Sequence, residues 1–436
     1  MTYQEALQYL YAAAPAFHLV GAAAYKPGLQ HVESLMAHLG NPHTKFKSIH
    51  VAGTNGKGST SHLIAAVLQA AGYKVGLYTS PHLVDFRERI RINGQMIPEE
   101  EVIRFVEWLD PNSEAFKQHS GMTPSFFEAA TALAFDWFAR EQVDVAVIEV
   151  GLGGRLDATN IITPLLSVIT NIGFDHTEFL GNTLAAIAHE KAGIMKFGVP
   201  CVIGETDPET APVFLEAARQ NHILGAGLET TDCRIWFADQ CGYLRKCRLR
   251  DIPDCQLKGI YQDKNQQTAY VALRALASTG KLSIDKPAMA KGFANVCRLT
   301  GLRGRWETLS EKPLTICDTG HNSHGLKFVF EQLSAYDYRH STLYVVFGMV
   351  SDKDVNEVMK LLPQNAVYYF TQAQTHRAIP AEELAAKYFQ ISKSSNYHIF
   401  QSVACAVRAA QKAATDEDII FIGGSNYVVG EALTLF

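Results

Sequence analysis

The sequence predicts an α/β protein built in two parts, and three observations predict it. Short apolar runs alternate with helix-period segments through most of the 436 residues, as when parallel strands are joined by crossover helices. A glycine-rich segment, V-A-G-T-N-G-K-G-S-T at residues 51–60, stands between the first clear apolar run and a helical pattern over 63–71. The alternation is broken around residues 298–306, L-T-G-L-R-G-R-W following Arg298, and then resumes. The expected division is therefore 1–298 and 299–436.

In the first part, strands are expected at residues 48–53, 75–79, 143–150, 166–172 and 199–203. Between 223 and 252 the pattern is shorter and reads as an antiparallel edge. In the second part, strands are expected at 314–318, 342–347, 366–370, 397–400 and 418–422, with helices between them, including 326–336 and 381–389. A spacing of roughly 25 residues per unit fits a doubly wound sheet.

Hydrophobic content of 47% and charged content of 19% belong to an ordinary globular chain. The net charge of −5 provides no global basic field for nucleic acid or an anionic membrane, so anionic ligands need local positive partners. The first ten residues carry no basic segment followed by an apolar one, and no run reaches the ~18–20 apolar residues of a membrane span. The eight cysteines (201, 233, 241, 247, 255, 297, 317 and 405) form no C-x-x-C pair. Spacings of eight, six and eight from Cys233 to Cys255 suit strand alternation better than a metal site. Scattered thiols without an export signal indicate a reducing cytoplasm.

The segment at 51–60 has the order that builds a phosphate cradle: strand, glycine loop, lysine, hydroxyls, helix. Glycines let backbone N–H groups close around phosphate oxygens, and the helix N-terminus adds its positive dipole end. Lys57 supplies a charge for the β/γ-phosphates, and Ser59 or Thr60 reaches Mg²⁺. The match to the standard pattern is imperfect: Val51 stands where a glycine is expected, and Gly58 where a hydroxyl is expected. A solvated turn is the alternative, but the flanking strand and helix favour a nucleoside triphosphate site.

Other strand ends carry chemistry. The run D-V-A-V-I-E closes on Glu149, where a carboxylate holds Mg²⁺ in phosphate-loop enzymes. The following G-L-G-G lacks the rest of a dinucleotide fingerprint. N-I-G-F-D-H at 171–176 ends on Asp175 and His176; a lone histidine is more often structural than a ligand. Lys191 falls in the apolar stripe of a helix over 184–195, between Ile187 and Ile194, and either snorkels along the helix or lines a site. A neutral, reactive lysine there requires help from burial or a metal. D-T-G-H-N at 318–322 closes the first strand of the second part. Arg305 just before it meets either a phosphate across a domain cleft or an ordinary salt-bridge partner. Thr123-Pro124 is read as capping a helix over 125–140, in which Phe126, Phe127 and Glu128 edge a ligand pocket or Glu128 simply favours the helix N-terminus.

Together these residues resemble the folylpolyglutamate synthase/dihydrofolate synthase family of the Mur ligase superfamily. The resemblance runs from Pro27-Gly28-Leu29 and L-G-N-P at 39–42 through Gly53, Thr54, Asn55, Gly56, Lys57, Gly58 and Ser59. It continues through T-S-P-H-L at 79–83, F-R-E-R-I at 86–90, E-V-G-L-G-G-R-L-D-A-T-N at 149–160, Asp175-His176 and H-E-K-A-G-I at 189–194. Relatives often read D-G-A-H-N-P where this chain has D-T-G-H-N-S. The resemblance implies a phosphate-loop ATPase-like N-terminal domain binding ATP and folate, and a smaller Rossmann-like C-terminal glutamate ligase domain. It implies that Gly53 to Ser59, Asn265, Arg305, Asp318 and His321 bind ATP. Ser80, Glu149, His176 and a carbamylated Lys191 are implied to hold Mg²⁺ at two sites, with Lys57, Lys191 and His176 catalytic. Pro81, Phe127, Glu128 and Arg155 are implied to meet the folate substrate. The implied reaction is two-step: a dihydropteroate or reduced-folate carboxylate takes the γ-phosphoryl group of ATP, and L-glutamate displaces phosphate from the acyl phosphate, with domain closure excluding water. The implied state is a monomer working on small molecules only. A peptidoglycan-type Mur ligase and a non-catalytic ATP-binding regulator are the rivals; Gly58 after Lys57 and F-R-E-R-I speak against the first, and Glu149, His176 and Lys191 against the second.

Overall fold

The computed structural model describes residues 1–13, 28–110, 124–223, 234–240, 251–336, 338, 340–351 and 355–436. Pro27, Thr123, Cys233, Cys241, Cys247 and much of the expected edge between 223 and 252 lie outside them. The chain forms two compact units: Met1–His82, Arg87–Gln256 and Asp263–Leu302 make the first, and Leu83–Phe86, Leu257–Gln262 and Arg303–Phe436 the second.

Among the described residues the first unit holds an eight-stranded sheet. Its strands are β1 (Lys47–Ala52), β2 (Val75–Tyr78), β3 (Ile90–Ile92), β4 (Gln95–Met96), β5 (Val145–Glu149), β6 (Leu166–Ile169), β7 (Cys201–Ile203) and β8 (Ile235–Phe237). Their order is β4-β3-β2-β5-β1-β6-β7-β8. From β2 to β8 all pairings are parallel, while β3 and β4 are antiparallel additions. The expected antiparallel edge is corrected here: Ile235–Phe237 runs parallel to β7. The parallel strands are buried on both faces, which is why they read as continuous apolar runs. The strand order reverses at β1, with β5 on one side and β6 on the other, which makes the carboxyl ends of these strands the place where an α/β sheet binds ligands.

The helix Lys57–Ala70 follows β1 and is buried from Ser59 to Leu68. The helix Lys286–Ala294 packs across it. A buried cluster of Ala52, Val150, Ile169, Ala188, Ile194, Ile203 and Phe214 ties the sheet to the helix Leu184–Ala192. That helix ends at Ala192, earlier than the apolar stripe suggests.

The second unit holds a six-stranded sheet in the order β13-β12-β11-β14-β10-β9. Its strands are β9 (Glu307–Glu311), β10 (Leu314–Asp318), β11 (Leu343–Phe347), β12 (Val367–Thr371), β13 (Tyr397–Phe400) and β14 (Ile419–Gly423). All are parallel except β9, an antiparallel edge strand that the sequence reading passes over. Clusters on both faces, including Ile316, Phe330, Phe347, Phe370 and Phe421 on one and Val346, Val407, Ile420 and Val429 on the other, make this a doubly wound layer.

Candidate functional site

In the first unit, four strand ends contribute to one constellation. The loop Gly53 to Gly56 leaves β1, and Gly56 caps the following helix with φ at 80°. This left-handed turn suits glycine for a second reason: a Cβ there would lie 2.0 Å from the side-chain oxygen of Asn265, the buried asparagine of the helix Gln262–Ser278. The loop is stitched to the end of β6. Thr54 N donates to Asn171 O at 2.9 Å, Asn55 N to Asn171 Oδ1 at 2.9 Å, and Gly173 N to Thr54 Oγ1 at 3.0 Å. Thr170 Oγ1 donates to Asn55 O at 2.6 Å.

The charges are less comfortable. Lys57 Nζ donates to Gly53 O at 3.0 Å and to Thr54 O at 3.1 Å. Lys191 Nζ, from the helix Leu184–Ala192, donates to the same Gly53 O at 2.9 Å. Two lysine nitrogens on one carbonyl oxygen are within about 6 Å of each other, and two ammonium charges at that range repel by about 3 kcal/mol at the effective dielectric of a protein site. Lys191 is 3% exposed. Burial first, and Lys57 second, push its pKa down to about 7, against the pull of Asp175, Asp157 and Glu190. Of the two sequence readings of Lys191, the helix geometry supports the one in which it turns into the loop: it does not snorkel to solvent.

Glu149 ends β5 and is buried. Its Oε2 accepts from Ser80 N at 3.1 Å, which brings the segment after β2 to the same place. Beyond Glu149, the buried Asp157 pins the turn: its Oδ2 accepts from Gly151 N at 3.0 Å and Leu152 N at 2.9 Å, and its Oδ1 from Thr159 N at 3.0 Å. Burial raises the Asp157 pKa, opposed by these bonds. Asn160 Nδ2 bridges Arg155 O and Gly193 O, both at 3.0 Å, so the turn after Glu149 is fastened to the end of the helix bearing Lys191. His176 sits three residues beyond the Gly173 contact with the loop, at φ 50°, its Nε2 3.8 Å from Asp175 Oδ1.

The residues named for the folate side behave differently. Phe127 lies against Tyr78 with ring centroids 5.9 Å apart and covers Gly151. Glu128 closes a capping box, its Oε2 accepting from Ser125 N at 2.6 Å and its N donating to Ser125 Oγ at 3.3 Å. The cap of the helix Phe126–Arg140 is therefore Ser125, one position inside the expected Thr123-Pro124. Arg155 pairs with Glu190 at 2.8 Å and is half exposed. Pro81 is exposed.

In the second unit, Arg305, Asp318 and His321 gather at the carboxyl end of β10. Asp318 is buried, and burial raises its pKa, countered by Tyr261 and Arg305. His321 Nδ1 is 3.0 Å from Thr319 O, and Asn322 Oδ1 caps the helix Ser323–Ser334 by accepting from Gly325 N at 2.8 Å. Arg305 Nη1 donates to Gly304 O at 3.2 Å. The sequence reading missed Thr170, Asp157 and Tyr261. Asp157 stood inside a quoted motif, whereas nothing local marks Thr170.

Residues 51–241 match the Mur ligase middle domain, and residues 304–426 match the Mur ligase glutamate ligase domain. Fold and site together define a Mur-type ligase. The dihydrofolate synthase/folylpolyglutamate synthase of Bacillus subtilis is 34% identical, covering 93% of this chain and 94% of its own. That of Escherichia coli is also 34% identical, over 93% and 90%. The structure of Escherichia coli FolC in complex with DHPP and ADP superposes with a TM-score of 0.81 at 30% identity, covering 100% of this chain and 97% of that one. The bifunctional folylpolyglutamate synthase/dihydrofolate synthase from Yersinia pestis, complexed with AMPPNP and Mn ion, gives 0.80 at 28%, covering 100% and 98%. The chain belongs to the dihydrofolate synthase/folylpolyglutamate synthase family. Among the described residues, no helix is long and apolar enough to cross a membrane.

Proposed function

We propose that this enzyme uses ATP and Mg²⁺ to join L-glutamate to dihydropteroate and to the γ-carboxylate of reduced folates. The observation that carries the reading is the convergence of Lys57 and Lys191 on Gly53 O. A cationic Lys57 on a glycine loop at a helix N-terminus calls for a polyanion, which a triphosphate supplies, and the buried Lys191 that shares its carbonyl has its own charged form disfavoured. The relatives of Bacillus subtilis and Escherichia coli carry both synthase names, which favours the bifunctional form.

In this reading the loop of Gly53, Thr54, Asn55, Gly56, Gly58 and Ser59 holds the phosphates, with Thr54 N and Asn55 N bracing it on Asn171, and Lys57 turns from the loop carbonyls to the β/γ-phosphates. Asn265, and in the second unit Arg305, Asp318 and His321, contact the nucleoside. A folate carboxylate oxygen attacks the γ-phosphorus, the bond to the β–γ bridging oxygen breaks, and ADP leaves. The glutamate amine then attacks the acyl carbon and gives up a proton, and the C–O bond to phosphate breaks. Lys57 offsets charge on the transferring group in a site whose donors are already fixed by the β6 bonds.

Lys191 is assigned as a carbamate. Its neutral amine form attacks CO₂: an N–C bond forms, one C=O π bond opens onto oxygen to give the carboxylate, and nitrogen loses one proton to solvent. The product exchanges a repelled cation for an anion beside Lys57. The donor set then suits a hard divalent ion: Glu149, the Ser80 hydroxyl, the His176 imidazole and the new carboxylate. Among the described residues, no three His, Cys, Asp or Glu side chains form a metal cluster; in this reading the carbamate and substrate oxygens would add to the donors. Mg²⁺, when bound at two such sites, neutralises charge on the phosphoryl group. Pro81, Phe127 and Arg155 edge the folate site, and Glu128 serves it by fixing the turn that bears Phe127. We place the folate- and ATP-binding domain at 1–298 and the glutamate ligase domain at 299–436, in a cytoplasmic monomer acting on small molecules and not on nucleic acid or membrane.

The test is product mass after incubation with ATP, Mg²⁺ and L-glutamate, with dihydropteroate and tetrahydrofolate in separate reactions. A gain of one glutamate on both is expected. A gain on tetrahydrofolate alone restricts the enzyme to tail extension, and no gain on either overturns the reading.

A further inference from the structure

Nothing in the reaction above uses Tyr261, yet its hydroxyl is spent on one of the residues assigned to the nucleotide. The segment Leu257–Gln262 packs with the second unit. It is clamped there by Gln332 of the helix Ser323–Ser334, whose side chain accepts from Ile260 N at 2.7 Å and donates to Lys258 O at 3.0 Å. The Tyr261 ring folds back over Gly259, where a Cβ would lie 2.6 Å from the ring. This places the hydroxyl 2.5 Å from Asp318 Oδ2, to which it donates.

An ionised carboxylate offers about four acceptor positions. On Oδ2, Tyr261 takes one and Trp306 N, at 2.8 Å, takes the other. On Oδ1, Gly320 N takes one at 2.7 Å. One position remains, on Oδ1. Trp306 itself sits at φ 47°, a conformation that an aromatic residue holds only when its surroundings enforce it. A carboxylate fixed by three donors on two backbone segments and one side chain cannot rotate about its terminal torsion without breaking at least one of them.

We propose that Tyr261 is a positioning residue for nucleotide binding: it locks the Asp318 carboxylate so that one Oδ1 acceptor is presented to a hydroxyl of the nucleotide's ribose. This rests on the assignment of Asp318 to the nucleotide, and it predicts selection of ATP over its 2′- and 3′-deoxy counterparts. Removing the lock leaves the carboxylate held only by Trp306 N and Gly320 N, with an Oδ2 position unfilled and the group less firmly oriented, so binding and selectivity fall while phosphoryl transfer from bound nucleotide proceeds.

The experiment compares Tyr261→Phe and Asp318→Asn in the full-length enzyme, reading KM for ATP, kcat at saturating ATP, and the preference for ATP over 2′-deoxy- and 3′-deoxyATP. The phenylalanine keeps the ring over Gly259, so the fold is retained. Tyr261→Phe is expected to raise KM for ATP about tenfold with kcat within about twofold, and to shrink the preference for the ribonucleotide. Asp318→Asn should weaken ATP binding at least as much. If Asp318→Asn weakens binding and Tyr261→Phe does not, the positioning role is wrong and the nucleotide assignment stands. If Asp318→Asn leaves ATP binding intact, both fall. A Tyr261→Phe enzyme that loses kcat and thermal stability with KM unchanged shows a merely structural tyrosine.

Discussion

The two units present polar groups at their strand ends in opposite states. At the end of β10, the Asp318 carboxylate is surrounded by donors and has nearly all its acceptor positions filled. At the end of β1, two lysine nitrogens share a single carbonyl oxygen and disfavour one another. The first arrangement is satisfied without a ligand, so it serves orientation. The second holds two like charges at odds, and in the reading proposed above an anion relieves them. Buried polar groups that are fully bonded stabilise a fold, whereas those left in conflict store a demand that binding answers.

The sharpest way to break that contrast is at Lys57. Lys57→Ala removes the charge proposed above to act on the phosphoryl group and should lower ligation by about 10³-fold or more. The fold should persist, because the hydrogen bonds lost are those from the Lys57 ammonium to the loop carbonyls of Gly53 and Thr54. Single-turnover assays beside a thermal melt decide it; near-normal ligation would sink the charge argument.

Lys191 sharpens the same point through pH. With a folded pKa of about 7 against the ordinary lysine value of 10.5, the unfolded chain binds the extra proton between these values. Stability therefore rises with pH across that window, and the penalty of burying the amine is present in full below pH 7. In CO₂-free buffer, Lys191→Met should be more stable than the parent at pH 6 by on the order of 3 kcal/mol, with the gap closing as pH climbs above 7. Its ligation rate should fall about 10²-fold. A stability gap that does not change between pH 6 and pH 9 would show that Lys191 is not held near neutrality.

Gly56 packs the loop closely against Asn265 of the helix Gln262–Ser278. Gly56→Ala forces a Cβ to within 2.0 Å of the Asn265 oxygen at a φ of 80°, so the loop must move. The expected result is KM for ATP raised about tenfold with a stability loss of about 1–2 kcal/mol. An unchanged KM would mean that the loop and Asn265 do not act on the same ligand.

Much of this was legible in the sequence, for reasons that also explain what was not. The central parallel strands announced themselves because strands buried on both faces are largely apolar; 314–318 was placed to the residue, and so was 397–400, a partly exposed edge strand. The short edge elements were missed because one exposed face and few residues leave little periodicity. β9 reads E-T-L-S-E, and its only apolar residue is Leu309. The β3–β4 hairpin did carry a signal, Asn93-Gly94 between paired strands, a dipeptide that favours a two-residue turn. Lys191 stood out because a charge on an apolar stripe is a local contradiction. Thr170 and Tyr261 did not, because a threonine after a strand and a tyrosine before a helix contradict nothing; their partners lie 115 and 57 residues away, and only the fold brings them together.

The smallest effect separates structure from substrate at Glu128. Its carboxylate accepts from Ser125 N, and Ser125 Oγ accepts from Glu128 N, so the two side chains form one reciprocal unit. Ser125→Ala and Glu128→Gln should each lower stability by about 1 kcal/mol. The double variant should lose less than the sum, because either change dismantles the same box. If Glu128 serves the folate site only through this turn, KM for dihydropteroate should move by a similar small factor in both single variants. A rise confined to Glu128→Gln, with Ser125→Ala unaffected, would instead put the carboxylate in direct contact with the pterin. The comparison is informative because Phe127 lies between the two residues and shares their turn, so a displaced turn and a lost contact give different pairs of KM values.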